Sequence, residues 1–395
     1  MPSLVRTLTA RSILGSNDHS CDSLVGVMYS MKLGPIQLRW SHLFCASGLA
    51  ILFPVVLIVV IATYTPITTS GFVYVIGAVA ITFGLLVEPW LRRTSWVFLG
   101  AGMILLFVTA GVRLSVGGGG TTVRLMTLPD QGATRWVDRL IHERDLSLFG
   151  QRAAALTGIA LSPREAEGLT DALTAAYGSL AAVEGTTSSP CISTYLFLQR
   201  PNAFDMVVVE PGLFPAPTRT PPTSTAAVIY LHGFVGNFTV QAWLVAEAAR
   251  KLNMLTVAPS VGFFGDWWTP HGEETVRCTI AYLRNRGVRR IYLAGLSNGA
   301  VGVCRLVPKL RTDLAGLILI SGADAQSPDS GLPILALQGL YDERMDASET
   351  VRYIAQAGER GTYCEFDGDH LLLAKRAAEV QAELRKWLEL QEERF

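Results

Sequence analysis

The chain has 395 residues, 33 of them basic and 33 acidic, for a formal net charge of zero. That balance lacks the basic surplus of a nucleic-acid binder, and no nucleic-acid partner is expected. Only 17% of residues are charged while mean hydropathy is +0.34, so an apolar excess must be concentrated somewhere along the chain.

Residues 1–42 show no sustained apolar period and read as a disordered N-terminal tail. Three uncharged apolar runs follow at 43–63, 71–87 and 95–112, with Trp90 and Trp96 where an interfacial belt would lie. Each reaches the roughly 17–25 residues that crossing a hydrocarbon core requires, the second barely. They predict three transmembrane helices and an integral membrane protein. A cleaved leader fits poorly, because no small-residue cleavage site follows the first run. Lys32, Arg39, Arg92 and Arg93 outweigh Arg113 and Arg124, which predicts a cytoplasmic N-terminus and an extracytoplasmic C-terminal part.

Gly117 to Gly120 form a joint, and from 134 to 183 apolar residues recur three and four apart. Ser162, Pro163 and Glu165 spell a capping box at a helix start. Residues 117–189 are therefore expected to be a linker and a small helical region. The period then changes. Strands are predicted at 193–199 and 204–210, followed by a Pro/Thr-rich loop at 215–225. Apolar runs at 226–231, 255–258, 290–294, 315–320, 333–338 and 361–366 alternate with helical patterns, and a last helix is expected over 371–390. Near-continuous apolar strands separated by helices imply an α/β domain over 190–395, built on a mainly parallel sheet covered on both faces. The site should then lie in the loops beyond the strand C-terminal ends. Cys191, Cys278, Cys304 and Cys364 show no metal-type spacing and read as isolated thiols.

One strand, RIYLAG, runs into Gly295-Leu296-Ser297-Asn298-Gly299 and a helix-like segment. This is a G-x-S-x-G motif in the strand–turn–helix context of a nucleophile elbow. A serine hydroxyl needs a base, and the base an orienting acid, in the chain order Ser, acid, His. Of the six histidines only His370 lies downstream of Ser297. Asp342 ends a predicted strand and is the leading acid, with Asp346, Asp367 and Asp369 as competitors. The N–H of Asn298 and that of Phe234, in the loop after an earlier strand, are the candidate oxyanion donors. His232 is expected to brace that loop. Phe263, Phe264, Asp266, Trp267 and Trp268 either line an apolar substrate pocket or pack as a surface loop.

LHGF, GLSNG, GLYD and GDH occur in this order over residues 190–395, and the sequence here resembles the α/β-hydrolase superfamily. The resemblance implies an eight-stranded-type sheet and a Ser297–Asp342–His370 triad, with no metal or organic cofactor. The compact spacing looks like the small, capless esterases and thioesterases. The expected function is a membrane-anchored serine hydrolase of a small-molecule or lipid ester or thioester, with its catalytic domain extracytoplasmic. A peptidase or amidase using the same triad, and a non-catalytic hydrolase-like interaction protein, are the alternatives.

Overall fold

In a bilayer every backbone polar group must be satisfied within its own segment, and a helix does this without help. The computed structural model describes residues 40–115, 122–129, 140–158, 160–184, 204–211 and 225–394, and its first three elements are helices of this kind. They are α1 (Trp40–Thr63), α2 (Thr69–Val87) and α3 (Arg92–Ser115), each long and apolar enough to cross a membrane. The third extends past its uncharged run to take in Arg92, Arg93 and Arg113, the last of them buried. Small residues, Gly77 and Gly84 on α2 and Gly102 on α3, are buried in these helices. The 1–39 part of the expected tail and the Gly117–Gly120 joint lie outside the described residues.

Beyond them is one sheet of eight strands, ordered β1-β2-β4-β3-β5-β6-β7-β8. The strands are β1 (Val123–Leu128), β2 (Phe204–Val209), β3 (Ala226–Leu231), β4 (Leu255–Pro259), β5 (Arg290–Leu296), β6 (Gly316–Ile320), β7 (Ile334–Gly339) and β8 (Gly361–Phe366). Strand β2 runs antiparallel to both its neighbours, and all other pairs are parallel. Six apolar runs and FDMVVV fall where the alternation places them. The expected strand at 193–199 lies outside the described residues. Strand β1 does not follow the expectation: it comes from the stretch assigned to the linker, so the sheet begins before residue 190. Its sequence, VRLMTL, carries Arg124 and Thr127 and is too short and mixed to announce itself.

The remaining helices are α4 (Glu143–Thr157), α5 (Pro163–Ala166), α6 (Leu169–Glu184), α7 (Thr239–Ala249), α8 (Pro270–Asn285), α9 (Asn298–Leu310), α10 (Ala347–Ala357), α11 (Leu372–Lys375) and α12 (Ala377–Glu392). The last expected helix is broken at Arg376 into α11 and α12. Two apolar cores flank the sheet: Tyr230, Trp243 and Trp387 lie in one, Trp267, Val303 and Leu319 in the other. The capping box forms as the spacing predicts, Glu165 N–H donating to Ser162 Oγ and Ser162 N–H to Glu165 Oε2 (2.9 Å).

The small helical region ties the apolar helices to the sheet, all within the single unit 41–395. Asp145, at the start of α4, accepts hydrogen bonds from the N–H and hydroxyl of Thr68 in the α1–α2 connection. Tyr74 donates its hydroxyl to Leu140 O (2.8 Å). Two residues before Asp145, buried Glu143 accepts the N–H groups of Thr239 (3.0 Å) and Val240 (3.1 Å) and caps the N-terminus of α7. Cys278, Cys304 and Cys364 are free thiols.

Candidate active site

Strand β5 ends at Leu296 and α9 starts at Asn298, leaving Ser297 alone to turn the chain, at φ 55° and ψ −121°. That conformation is costly for a residue with a Cβ, and such strain collects where a reactive group must be presented. The flanking glycines let it form. A Cβ on Gly299 would stand 2.1 Å from Leu231 O, so α9 starts pressed against the end of β3. On the other side, a Cβ on Gly233 would lie 3.1 Å from Ser297 Cβ, which seats the LHGF loop directly against the serine.

Consecutive strand ends are then sewn together along this edge. Ser297 N–H donates to Ile320 O (2.9 Å), Ser321 N–H to Leu337 O (2.9 Å), and Ser321 Oγ to His370 O (2.9 Å). Ser321 is buried, also at positive φ, and was not singled out by its sequence context; only the sheet order brings it under the histidine loop.

His370 follows β8 and is buried, with Nδ1 3.0 and 2.9 Å from the two carboxylate oxygens of Asp342. The Asp342 side chain is fully covered. It also accepts from Gln338 Nε2 (2.9 Å), Arg344 N–H (2.9 Å) and Met345 N–H (3.0 Å), so no lone pair is left to pull it away from the ring. Of the four carboxylates weighed from sequence, Asp342 is the one bonded to His370. Asp346 caps α10, Asp367 is exposed beside Arg376, and Asp369 pairs with Lys375 (2.7 Å). Among the described residues neither His370 Nε2 nor Ser297 Oγ has a hydrogen-bond partner. Catalytic hydrogen bonds are commonly loose without substrate and tighten in the complex.

The two candidate oxyanion donors border the serine. Asn298 is the first residue of α9, where helix N–H groups have no intrahelical acceptor. Phe234 N–H has no hydrogen-bond acceptor among the described residues. His232 braces this loop: Nδ1–H donates to Gly233 O (2.8 Å), Nε2 accepts Val261 N–H (3.2 Å), and its carbonyl accepts Trp267 Nε1–H (2.8 Å). Burial pushes the imidazole down to about 4, so it is neutral near pH 7, its tautomer fixed by these two bonds.

The aromatic stretch divides. Phe263 and Phe264 cluster with Phe234, ring centroids 5.0 and 5.7 Å from it, and Asn298 Nδ2 donates to Phe264 O (2.9 Å), holding the loop beside the serine. Trp267 is different: it is fully buried, in edge contact with His232, and belongs to the core. A side chain in that position cannot line a pocket. Trp268 stacks under Arg305, seven residues along α9 from Asn298 and away from the phenylalanine cluster. The Asp266 carbonyl accepts from Thr269 in the turn that starts α8.

The sheet is mainly parallel and eight-stranded, with the serine turn after β5 and the acid and histidine after β7 and β8. The fold is of the α/β-hydrolase type. The sequence matches no family model and no curated protein. Among solved structures the chain is similar to Est1E from Butyrivibrio proteoclasticus, at 15% identity and a TM-score of 0.39, over 48% of this chain and 94% of that one. It is similar also to an alpha-beta serine hydrolase homologue from Coxiella burnetii, at 16% identity and a TM-score of 0.37, over 48% and 95%. A third is the Pyrococcus furiosus esterase Pf2001, at 13% identity and a TM-score of 0.38, over 47% and 87%.

Two charged contacts reach the surroundings of Asp342 and His370 from the small helical region. Arg344, whose N–H holds Asp342, forms an ion pair with buried Glu165 and donates to Ala160 O. Lys375, paired with Asp369 next to the histidine, donates to Arg164 O (2.8 Å). Neither contact was foreseen, because residues 179 and 211 positions apart show no sequence sign of meeting.

Proposed function

We propose that the protein is a membrane-anchored serine hydrolase that cleaves a carboxylic ester or thioester through an acyl-enzyme. The observation that carries this reading is the strained Ser297 turn on the same sheet edge as the His370–Asp342 pair. In this mechanism His370 Nε2 takes the Ser297 proton as Oγ attacks the substrate carbonyl carbon. Asp342, held by four donors, keeps the proton on Nδ1 and stabilises the imidazolium. The carbonyl oxygen becomes an oxyanion facing Phe234 N–H and Asn298 N–H, at the positive end of α9. Collapse of the intermediate expels the alcohol or thiol, protonated by His370 Nε2, and leaves Ser297 acylated. A water deprotonated by His370 then releases the acid.

Helices α1–α3 serve as the anchor in this reading, the small helical region as a bracket, and β1 to α12 as the catalytic part. The arginine and lysine bias favours a cytoplasmic N-terminus and an extracytoplasmic site. Protease accessibility in spheroplasts tests the sidedness. Labelling of membranes with a fluorophosphonate tests the chemistry: wild type is expected to label and Ser297→Ala to be blank. His370→Ala should label at least about 100-fold more slowly. Labelling that persists without Ser297 would sink the proposal.

A further inference from the structure

Which way the site faces follows from three contacts. The N-terminus of α7 lies at the same sheet edge as Ser297, since Asn237, two residues before it, donates Nδ2–H to Ala258 O (2.8 Å) near the end of β4. Glu143 is bound to that N-terminus through Thr239 and Val240. Asp145, two residues on, is bound to Thr68 in the connection between α1 and α2. A two-residue step spans at most about 7 Å. The connection between α1 and α2 therefore lies close to the catalytic edge of the sheet.

That edge is also apolar. On the oxyanion side Phe234 is 47% exposed and Phe264 58%. On the acid side Leu340 is 51% and Tyr341 42% exposed, their N–H groups held by Phe366 O and Gly368 O just before the histidine. The guanidinium of exposed Arg164 lies 4.3 Å from the centre of the Tyr341 ring. Exposed aromatics beside an arginine are what headgroup-level surfaces use, and an apolar rim of this kind is unfavourable against water.

We infer that this rim contacts the adjoining bilayer leaflet and that the substrate is a lipid ester drawn from it, its acyl chain passing over Phe234, Phe263 and Phe264 to Ser297. The inference rests on the hydrolase reading above. The rim lowers the cost of lifting an acyl chain from the leaflet, because the chain exchanges lipid contacts for aromatic ones without crossing water.

The test uses the full chain in proteoliposomes of zwitterionic phospholipid with some anionic lipid. A long-chain fluorogenic acyl ester embedded in the vesicles is compared with a soluble short-chain ester of the same leaving group. Wild type is expected to favour the embedded ester. The double variant Phe264→Ser/Leu340→Ser should lower the embedded-to-soluble ratio of kcat/KM by about tenfold or more, given the apolar area removed. Val351→Ser, at an exposed apolar position on α10 outside the rim, should leave the ratio unchanged. In a second arm, vesicles of brominated lipid should quench the emission added by Phe264→Trp, an outcome that needs no turnover. An unchanged ratio in the double variant, or added emission untouched by bromine, overturns the inference. Fluorophosphonate labelling at Ser297 separates the cases: if labelling is absent the hydrolase reading has failed, and if it persists only the bilayer route has.

Discussion

Glu165 closes its own capping box and at the same time holds Arg344, whose backbone N–H holds Asp342. Burial alone would raise the Glu165 pKa, but hydrogen bonds from Arg344 and the Ser162 N–H outweigh it and keep the carboxyl below its ordinary 4.5. The contact is thus charged at neutral pH. With a folded pKa below the unfolded one, it contributes stability above pH 4.5 and loses it as acid protonates the pair. In the proposed mechanism this position makes Glu165 a positioning residue rather than a catalytic one. Glu165→Gln keeps an oxygen for the cap and removes the charge. It is expected to lower kcat for a soluble ester by about 10–100-fold, the scale of a small misplacement, with KM little changed. An unchanged kcat, or a loss confined to KM, counts against that role.

At the scale of elements, the loop from β4 to α8 shows how one short stretch serves two ends. Phe263 and Phe264 stay at the mouth while Trp267 turns inward to pack on His232. Trp267→Ala should cost about 3–5 kcal/mol of unfolding free energy, the range for emptying a large buried aromatic site. Trp268→Ala, which loses a stacked arginine at the surface, should cost under about 1 kcal/mol. Equal costs in urea titrations would mean the two indoles are not divided between core and surface. The sequence shows two pairs of adjacent aromatics but not which face each takes, since that depends on the sheet beneath. The same limit explains the other differences. The strand runs, the serine turn and the order of acid and histidine are local patterns and could be read directly. Strand order, the pairing of β1 with a partner far along the chain, and the buried polar contacts of Glu143, Glu165 and Ser321 arise only when distant segments meet.

Across the whole molecule, two buried titratable groups work against each other. Burial lowers His232 from its ordinary 6.5 to about 4, so its contribution to stability is complete above pH 6.5 and fades as pH falls. Burial raises Glu143 from 4.5 to about 7 against the hydrogen bonds of Thr239, Val240 and Tyr177, so its contribution is complete below 4.5 and fades as pH rises. The displacements, 6.5 − 4 and 7 − 4.5, are alike, each equivalent to about 3 kcal/mol over its window. Between pH 4.5 and 6.5 the two slopes should cancel in the wild type. His232→Asn should unmask stability that falls with rising pH, and Glu143→Gln stability that rises with it. Denaturant midpoints across this interval, in detergent, provide the measurement. Slopes of the same sign in both variants would contradict the opposition.

Strand β1 also sets an order of events. It leaves the ribosome directly after α3, yet its partner β2 begins only at Phe204, and β2's other neighbour, β4, comes later still. The register joins Val123 to Val209, a long loop to close compared with the short crossovers among β5, β6, β7 and β8. Nascent β1 is therefore an unpaired edge, the kind of segment most prone to pair with a stranger, during the whole synthesis of the helical region. Among the described strands, the first one made thus waits unpaired until a partner far along the chain has been synthesised.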